Sequence, residues 1–200
     1  MPVALTESLH LPAVPHPSPK RWTRAECAEF ENAGLWAGQH LELIEGELIN
    51  KTGKNQPHAL ALPRVIQCLV EIFGWKLVIP EAPINVAPED HPTSEPEPDV
   101  IVLKRMSDDF RTQQPKPQDL ALLIEIADTI LRFDLTTKAA LYARAGIQDY
   151  WVLDLNGRRL IVHRTPESGR YKSVVAYSEN EHVSSLAAPE SRTLVGDLLA

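Results

Sequence analysis

Two acidic residues stand in runs that otherwise want to be apolar. Asp99 opens Pro98-Asp99-Val100-Ile101-Val102-Leu103, and Glu125 lies within Leu120-Ala121-Leu122-Leu123-Ile124-Glu125-Ile126-Ala127. Both runs are rich in Val, Ile and Leu, the composition of strands covered on two faces. A carboxylate in such a strand is costly unless a cation meets it. Soon after the second run comes Asp134-Leu135-Thr136-Thr137-Lys138, so an ammonium can arrive from a following helix. Two carboxylates on neighbouring strands with a lysine nearby are what a divalent metal needs to hold a phosphodiester and a water together. The plainer alternatives are a turn aspartate capping amides at Asp99, a glutamate paired with an arginine at Glu125, and a solvated helix lysine at Lys138.

The elements that must position these residues follow from spacing. Five prolines (Pro2, Pro12, Pro15, Pro17, Pro19) and no helical or strand period make residues 1–20 an expected loose arm, leaving 21–200 as one domain. Thr23-Arg24-Ala25-Glu26 has capping-box spacing and starts a short helix. Leu41 to Ile44, Glu45-Gly46 and Glu47 to Asn50 read as a hairpin. Leu62, Val65, Ile66, Leu69, Val70 and Phe73 recur at helical spacing before Gly74; because proline disrupts a helix interior, this helix is expected to begin near Pro63, with His58 at its mouth. Strands are expected over 76–80 and 83–87, then a loop over 88–98 too proline-rich and acidic to pack. A polar connection separates the Asp99 and Glu125 strands. A helix over 134–145, capped by Asp134, leads to a strand over 150–154, an Asn156-Gly157 hairpin, strands over 159–164 and 171–177, and a short C-terminal element. This order predicts an α+β chain: a central mixed sheet flanked by helices, with an extra N-terminal helix and hairpin and extra C-terminal strands.

Composition narrows the chemistry. Cys27 and Cys68 have no CxxC spacing and no nearby histidine cluster, so reduced thiols are expected and zinc is not. No apolar run approaches the ~18 residues of a membrane span, and the first residues lack a basic region followed by an apolar core. No membrane association and a cytoplasmic location are the expectations. A net charge of −7 argues against a strong nonspecific nucleic-acid binder. Bases nevertheless gather at Lys20, Arg21 and Arg24, at Lys104 and Arg105, and at Arg158, Arg159, Arg164, Arg170 and Lys172. With acids at Glu89, Asp90 and Glu95 to Asp99, the pattern suits an acidic metal centre with a basic rim, and equally an acidic protein that binds no nucleic acid.

Pro98-Asp99, Glu125, Asp134 with Lys138 and Tyr142, Ala145-Gly146-Ile147 and Tyr150-Trp151-Val152-Leu153-Asp154 together resemble the bacterial Uma-type family of putative restriction endonucleases, within the PD-(D/E)XK nuclease superfamily. Leu41-Glu42-Leu43-Ile44-Glu45-Gly46-Glu47-Leu48 and His58 match two more of its landmarks. The resemblance spans roughly residues 22–164 and implies a restriction-endonuclease-like core. It implies that Asp99 and Glu125 bind Mg²⁺ or Mn²⁺, and that the superfamily's lysine, absent at Ala127, is displaced to Lys138. It implies an additional carboxylate from the hairpin, for which Glu42 is preferred and Glu47 is the alternative, and a site role for His58. Tyr142 is expected to pack against or orient the lysine, and His91, His163 and His182 receive no role.

The activity implied is metal-dependent hydrolysis of nucleic acid, DNA foremost, by a homodimer able to cut both strands. A competing reading is a noncatalytic nuclease-fold protein that binds nucleic acid or a protein partner, favoured by the net charge and Ala127. The joint presence of Asp99, Glu125 and Lys138 favours the enzyme, because a binding module has no need of a metal dyad. A small-phosphoester phosphatase would need a Gly-rich phosphate loop or a histidine cluster, and neither is visible.

Overall fold

A computed structural model describes residues 18–51 and 55–199. The arm expected over 1–20 lies, except for its last three residues, outside the described residues. Thr23 caps α1 (Arg24–Asn32) in a complete capping box with Glu26. The hairpin follows as β1 (Leu41–Ile44) and β2 (Glu47–Asn50), turned through Glu45 and Gly46 with φ of 50° and 80°. Two successive left-handed residues match the twist of the strands they join.

Helix α2 (Gln56–Phe73) begins well ahead of the start expected near Pro63, and Pro63 lies inside it. The correction has a local cause: the Asn55 side chain accepts from the His58 amide at 3.3 Å and Pro57 occupies the first turn, where its missing N–H costs nothing. His58, Ala61, Val65 and Leu69 form the buried stripe. Gly74, at φ 83°, returns its amide to Val70 O at 2.8 Å and ends the helix.

A six-stranded sheet runs β3 (Val78–Pro80), β4 (Val100–Leu103), β5 (Leu120–Ala127), β6 (Asp149–Asp154), β7 (Arg159–Glu167) and β8 (Arg170–Ser178) in that spatial order. The β5 and β6 pair is parallel and every other pair antiparallel. Between β5 and β6 the chain crosses over through α3 (Leu131–Phe133), a π-helical turn (Asp134–Lys138) and α4 (Ala139–Arg144). The expected helix therefore begins at Leu131, and Asp134 does not cap it. A two-stranded ribbon, β9 (His182–Val183) with β10 (Thr193–Leu194), and α5 (Val195–Leu198) complete the described chain.

Alternation along the central strands divides the core in two. Val100, Val102, Leu122, Ile124, Ile126, Trp151 and Leu153 face α2 and α5. Ile101, Leu103, Leu123, Ala127, Tyr150 and Val152 face the crossover helices. The parity of 99, 101 and 103, and of 123, 125 and 127, puts Asp99 and Glu125 on that second face.

Residues 83–87 form no strand, because their amides are spent on loops: Ile84 N on Pro96 O at 3.0 Å and Asn85 N on Pro115 O at 2.9 Å. The loop over 88–98 does pack, against expectation. Gly46 N donates to Thr93 O, Glu45 N to Ser94 Oγ, and Leu43 bridges Glu95, so the loop anchors the hairpin. Among the described residues, no helix is long and apolar enough to cross a membrane. Cys27 and Cys68 are free thiols.

Candidate active site

Lys138 sits at the end of the π turn, where the Ala139 amide reaches back to Asp134 O. Such a five-residue step widens the helix locally, and here it turns both Asp134 and Lys138 inward. The Tyr150 hydroxyl fixes the same Asp134 carbonyl at 3.0 Å. Lys138 is 1% exposed, and its ammonium lies 2.9 Å from Glu42 Oε1, 3.0 Å from Glu125 Oε1 and 3.9 Å from Asp134 Oδ1. The contact with Glu125 is a hydrogen bond, whereas Glu42 Oε1 is an ion-pair partner whose angle makes none. Tyr142 donates to Glu125 Oε1 at 2.8 Å. Its expected role changes accordingly: it positions the carboxylate that the lysine also holds.

Asp99 enters from the other side. Its Oδ2 accepts the Ile126 amide at 2.7 Å, and its Oδ1 lies 3.3 Å from His58 Nε2. The first turn of α2 thus delivers His58 to the sheet end. Glu42 is carried in by β1 and accepts the Glu97 amide at 3.2 Å. Glu47, the alternative, points outward and pairs with Arg21 at 2.8 Å on the surface. All five residues singled out in the sequence, Glu42, His58, Asp99, Glu125 and Lys138, line one cavity of about 70 Å³.

Among the charged residues that line this cavity, sequence reasoning gives no place in the site to Lys51, Asp128 and Asp134. Spacing makes Asp134 a cap, and nothing in it reveals a π turn. Lys51 carries a signal that could have found it. Glu42 faces Ile49 across the hairpin, and alternation puts Lys51 on Ile49's side of β2.

Acidic groups outnumber cations here. Asp128 is taken up by the side-chain amides of Asn55 and Asn156. Glu42, Asp99, Glu125 and Asp134 remain, against the cations Lys51 and Lys138. Burial first, and then the charges of Asp99 and Glu42, push Glu125 up to about 7 despite Lys138. Burial and the Glu125 charge push Asp134 up to about 8. Asp99 goes the other way: burial would raise it, but the His58 hydrogen bond and charge, Lys51 and the Ile126 amide hold it below the usual carboxylate range. The Lys138 ammonium is held firmly protonated by its carboxylates, against the burial that opposes its charge. Asp134 Oδ1 and His58 Nδ1 are buried with no hydrogen-bond partner among the described residues.

The expected basic rim is not present as drawn. Arg24 pairs with Glu95, Arg105 with Asp119, Arg158 with Glu179, Arg159 with Asp154 and Arg164 with Asp149. Two acids of the 88–98 loop are likewise engaged away from the cavity, Asp90 with Arg144 and Glu95 with Arg24.

A family model described as Uma2, putative restriction endonuclease, matches residues 27–195. Among solved structures, the chain is similar to a putative nuclease belonging to DUF820 from Anabaena variabilis ATCC 29413. The two share 16% identity with a TM-score of 0.64, over 79% of this chain and 88% of that one. No curated protein matches the sequence. Restriction-endonuclease-like proteins generally use divalent metal ions, and the cavity bears on whether one fits. No three histidine, cysteine or acidic side chains converge as a closed metal cage among the described residues. Two carboxylates in a cluster where acids outnumber cations suit instead a hard cation that keeps several waters, as Mg²⁺ does.

Proposed function

The chain belongs to the Uma2 putative restriction endonuclease family, and on that premise we propose that it is a metal-dependent endonuclease hydrolysing phosphodiester bonds of nucleic acid, with DNA as substrate. The observation that carries the reading is the convergence of Asp99 and Glu125, from adjacent strands and one sheet face, on a cavity with too few cations for its carboxylates. Those two residues would hold Mg²⁺ or Mn²⁺, which when bound polarises the phosphoryl oxygen and acidifies its water.

The chain's own groups do the positioning. The Ile126 amide and His58 hold Asp99, and Lys138 and Tyr142 hold Glu125 by one oxygen. Sequence reasoning has Lys138 reaching the phosphate. Its ammonium is instead buried among carboxylates, hydrogen-bonded to Glu125 and ion-paired with Glu42, so its part is to orient Glu125 and Glu42 and to place a fixed positive charge beside the reacting groups. Glu42 neutralises and anchors that ammonium. A homodimer, two such sites related by a two-fold axis, would suit cutting both strands of a duplex.

Titration of Mg²⁺ and Mn²⁺ against plasmid and single-stranded substrates tests the reading. Cleavage that requires metal and disappears in Asp99→Ala and Glu125→Ala is the expected result. Binding of the same substrates with no cleavage at any metal concentration would leave the noncatalytic nucleic-acid-binding reading in its place.

A further inference from the structure

A lysine that meets substrate needs a donor aimed at open space, and Lys138 is poorly supplied with one. It is 1% exposed, and three carboxylates surround its ammonium. One of them, Glu125, accepts its hydrogen bond, the other two pair with it by charge, and burial leaves the ammonium no open face toward a substrate. Arg24, Arg105, Arg158, Arg159 and Arg164 are committed as well, each to the carboxylate named above. Among the described residues lining the cavity, Lys51 is the remaining full cation.

Its placement is specific. β2 ends at Asn50, and Lys51 continues the pairing by donating its amide to His40 O at 2.8 Å. Its side chain is only partly buried, and its Nζ donates to the Glu97 carbonyl. The amide of that same Glu97 is held by Glu42. One residue, two positions before Asp99, therefore tethers both the hairpin carboxylate and the hairpin lysine at the cavity. Lys51 lines the same cavity as both proposed metal ligands, Asp99 and Glu125, and its charge favours the ionised form of each. Among the described residues that carbonyl is its hydrogen-bond acceptor, which leaves the ammonium two donors for a phosphate.

We infer that Lys51 is the catalytic lysine in contact with substrate, its ammonium binding a nonbridging oxygen of the backbone phosphate, while Lys138 acts as a positioning residue behind the carboxylates. This rests on the nuclease reading and deepens it by separating the two lysines that a one-lysine motif would merge. A point charge on a flexible stem suits a phosphate that moves during displacement.

The test uses the full chain with Ca²⁺ and a fluorescein-labelled single-stranded oligonucleotide, followed by anisotropy over a range of salt. Lys51→Gln removes the charge while keeping an N–H for Glu97, so melting temperature should stay at the wild-type value. Loss of one phosphate contact should lower the slope of log K against log salt by about 0.7. In Mg²⁺, cleavage by the variant should fall at least about tenfold, with Lys51→Arg recovering binding more than turnover. Lys51→Gln that binds with the wild-type slope and cuts at the wild-type rate would overturn the assignment and leave the nuclease reading intact. Wild-type binding that depends on Lys51, without cleavage in any metal, would keep Lys51 as the phosphate contact and remove the nuclease reading. Should Lys51→Gln melt lower than wild type, Lys51→Met is compared with it: an unchanged salt slope in both overturns the inference.

Discussion

Adjacent strands of this sheet bury carboxylates in two different ways. On β6, Asp149 accepts from Trp151 Nε1 at 2.9 Å, Arg164 Nε at 2.8 Å and the Leu186 amide at 2.8 Å, while Asp154 accepts from the Gly157 amide and Arg159 Nε, each at 2.8 Å. Each aspartate has its own donors and its own arginine. Glu125 on β5, with Glu42 and Asp134, has one buried lysine to share. A buried acid with private donors is part of the scaffold. Buried acids in excess of their cations form a place where another cation belongs, and the difference is visible without any bound ligand.

The largest effect that could break this contrast is on catalysis. Glu125→Ala and Asp99→Ala should each lower metal-dependent cleavage by at least about a thousandfold, or ~4 kcal/mol of barrier, with the circular dichroism of the folded chain unchanged. Asp149→Ala should do the reverse. Truncating one partner of a buried pair leaves Arg164 and the indole N–H unsatisfied, at a cost of about 3 kcal/mol in denaturant unfolding, with cleavage retained. If Asp149→Ala lost activity at full stability, or Glu125→Ala kept its rate, private and shared donors would not separate scaffold from site.

Next in size is the shared lysine itself. Lys138→Met fills the same stem volume and strips three carboxylates of their cation, and about 3 kcal/mol of stability should be lost at pH 8. Less should be lost at pH 5, where the carboxyls can take up protons instead. A loss independent of pH would mean that the stem's packing, and not its charge, matters.

Much of this arrangement is legible in the sequence, and the failures share a cause. Asp99 and Glu125 stand out because each interrupts an apolar run, but that they share one face follows from the register that sets Val100 opposite Ile124, which the sequence does not carry. The sheet strands and the hairpin follow from period and turn residues. What periodicity cannot report is pairing across the chain. Arg24 finds Glu95, 71 residues away, so a cluster of bases on paper becomes a set of separate ion pairs in the fold. Glu42 and Glu47 flank the same turn, and only the anchoring of the hairpin on residues 93–97 decides which enters. Asp134 is hidden for a different reason: a π turn leaves no signature in hydrophobic spacing, and it converts a would-be cap into a buried group. Pro63 misleads because a proline inside a helix is tolerated when a capped first turn and a packed stripe outweigh one missing bond.

A smaller effect comes from supplying the cation. Ligand that binds only the native state stabilises it by about 2.7 kcal/mol at a hundred times its Kd. Mg²⁺ or Mn²⁺ should therefore raise the melting temperature of wild type, and Glu125→Gln, which keeps the shape and removes the charge, should abolish the rise. An equal rise in Glu125→Gln would move the metal elsewhere.

The smallest effect isolates Asp134, which touches the shared lysine without being a proposed ligand. Its value in the folded chain, about 8, stands above the 3.8 of a free aspartate, chiefly through burial and then through Glu125. The groups facing it are Glu125, Asp99 and Glu42 of like charge and Lys138 of opposite charge. Between those two values the folded state keeps a proton that the unfolded state has released, so unfolding is favoured as pH rises. The stability is fully present below about pH 4 and is lost progressively toward pH 8, the opposite of an ordinary salt-bridged aspartate. Asp134→Asn cannot ionise, so in metal-free solution its melting temperature should decline less than that of wild type between pH 5 and pH 8. The two should converge below about pH 4, where the wild-type carboxyl is neutral in both states. Parallel curves across that range would show that Asp134 ionises freely in the folded chain, and would place it with the privately satisfied acids of β6.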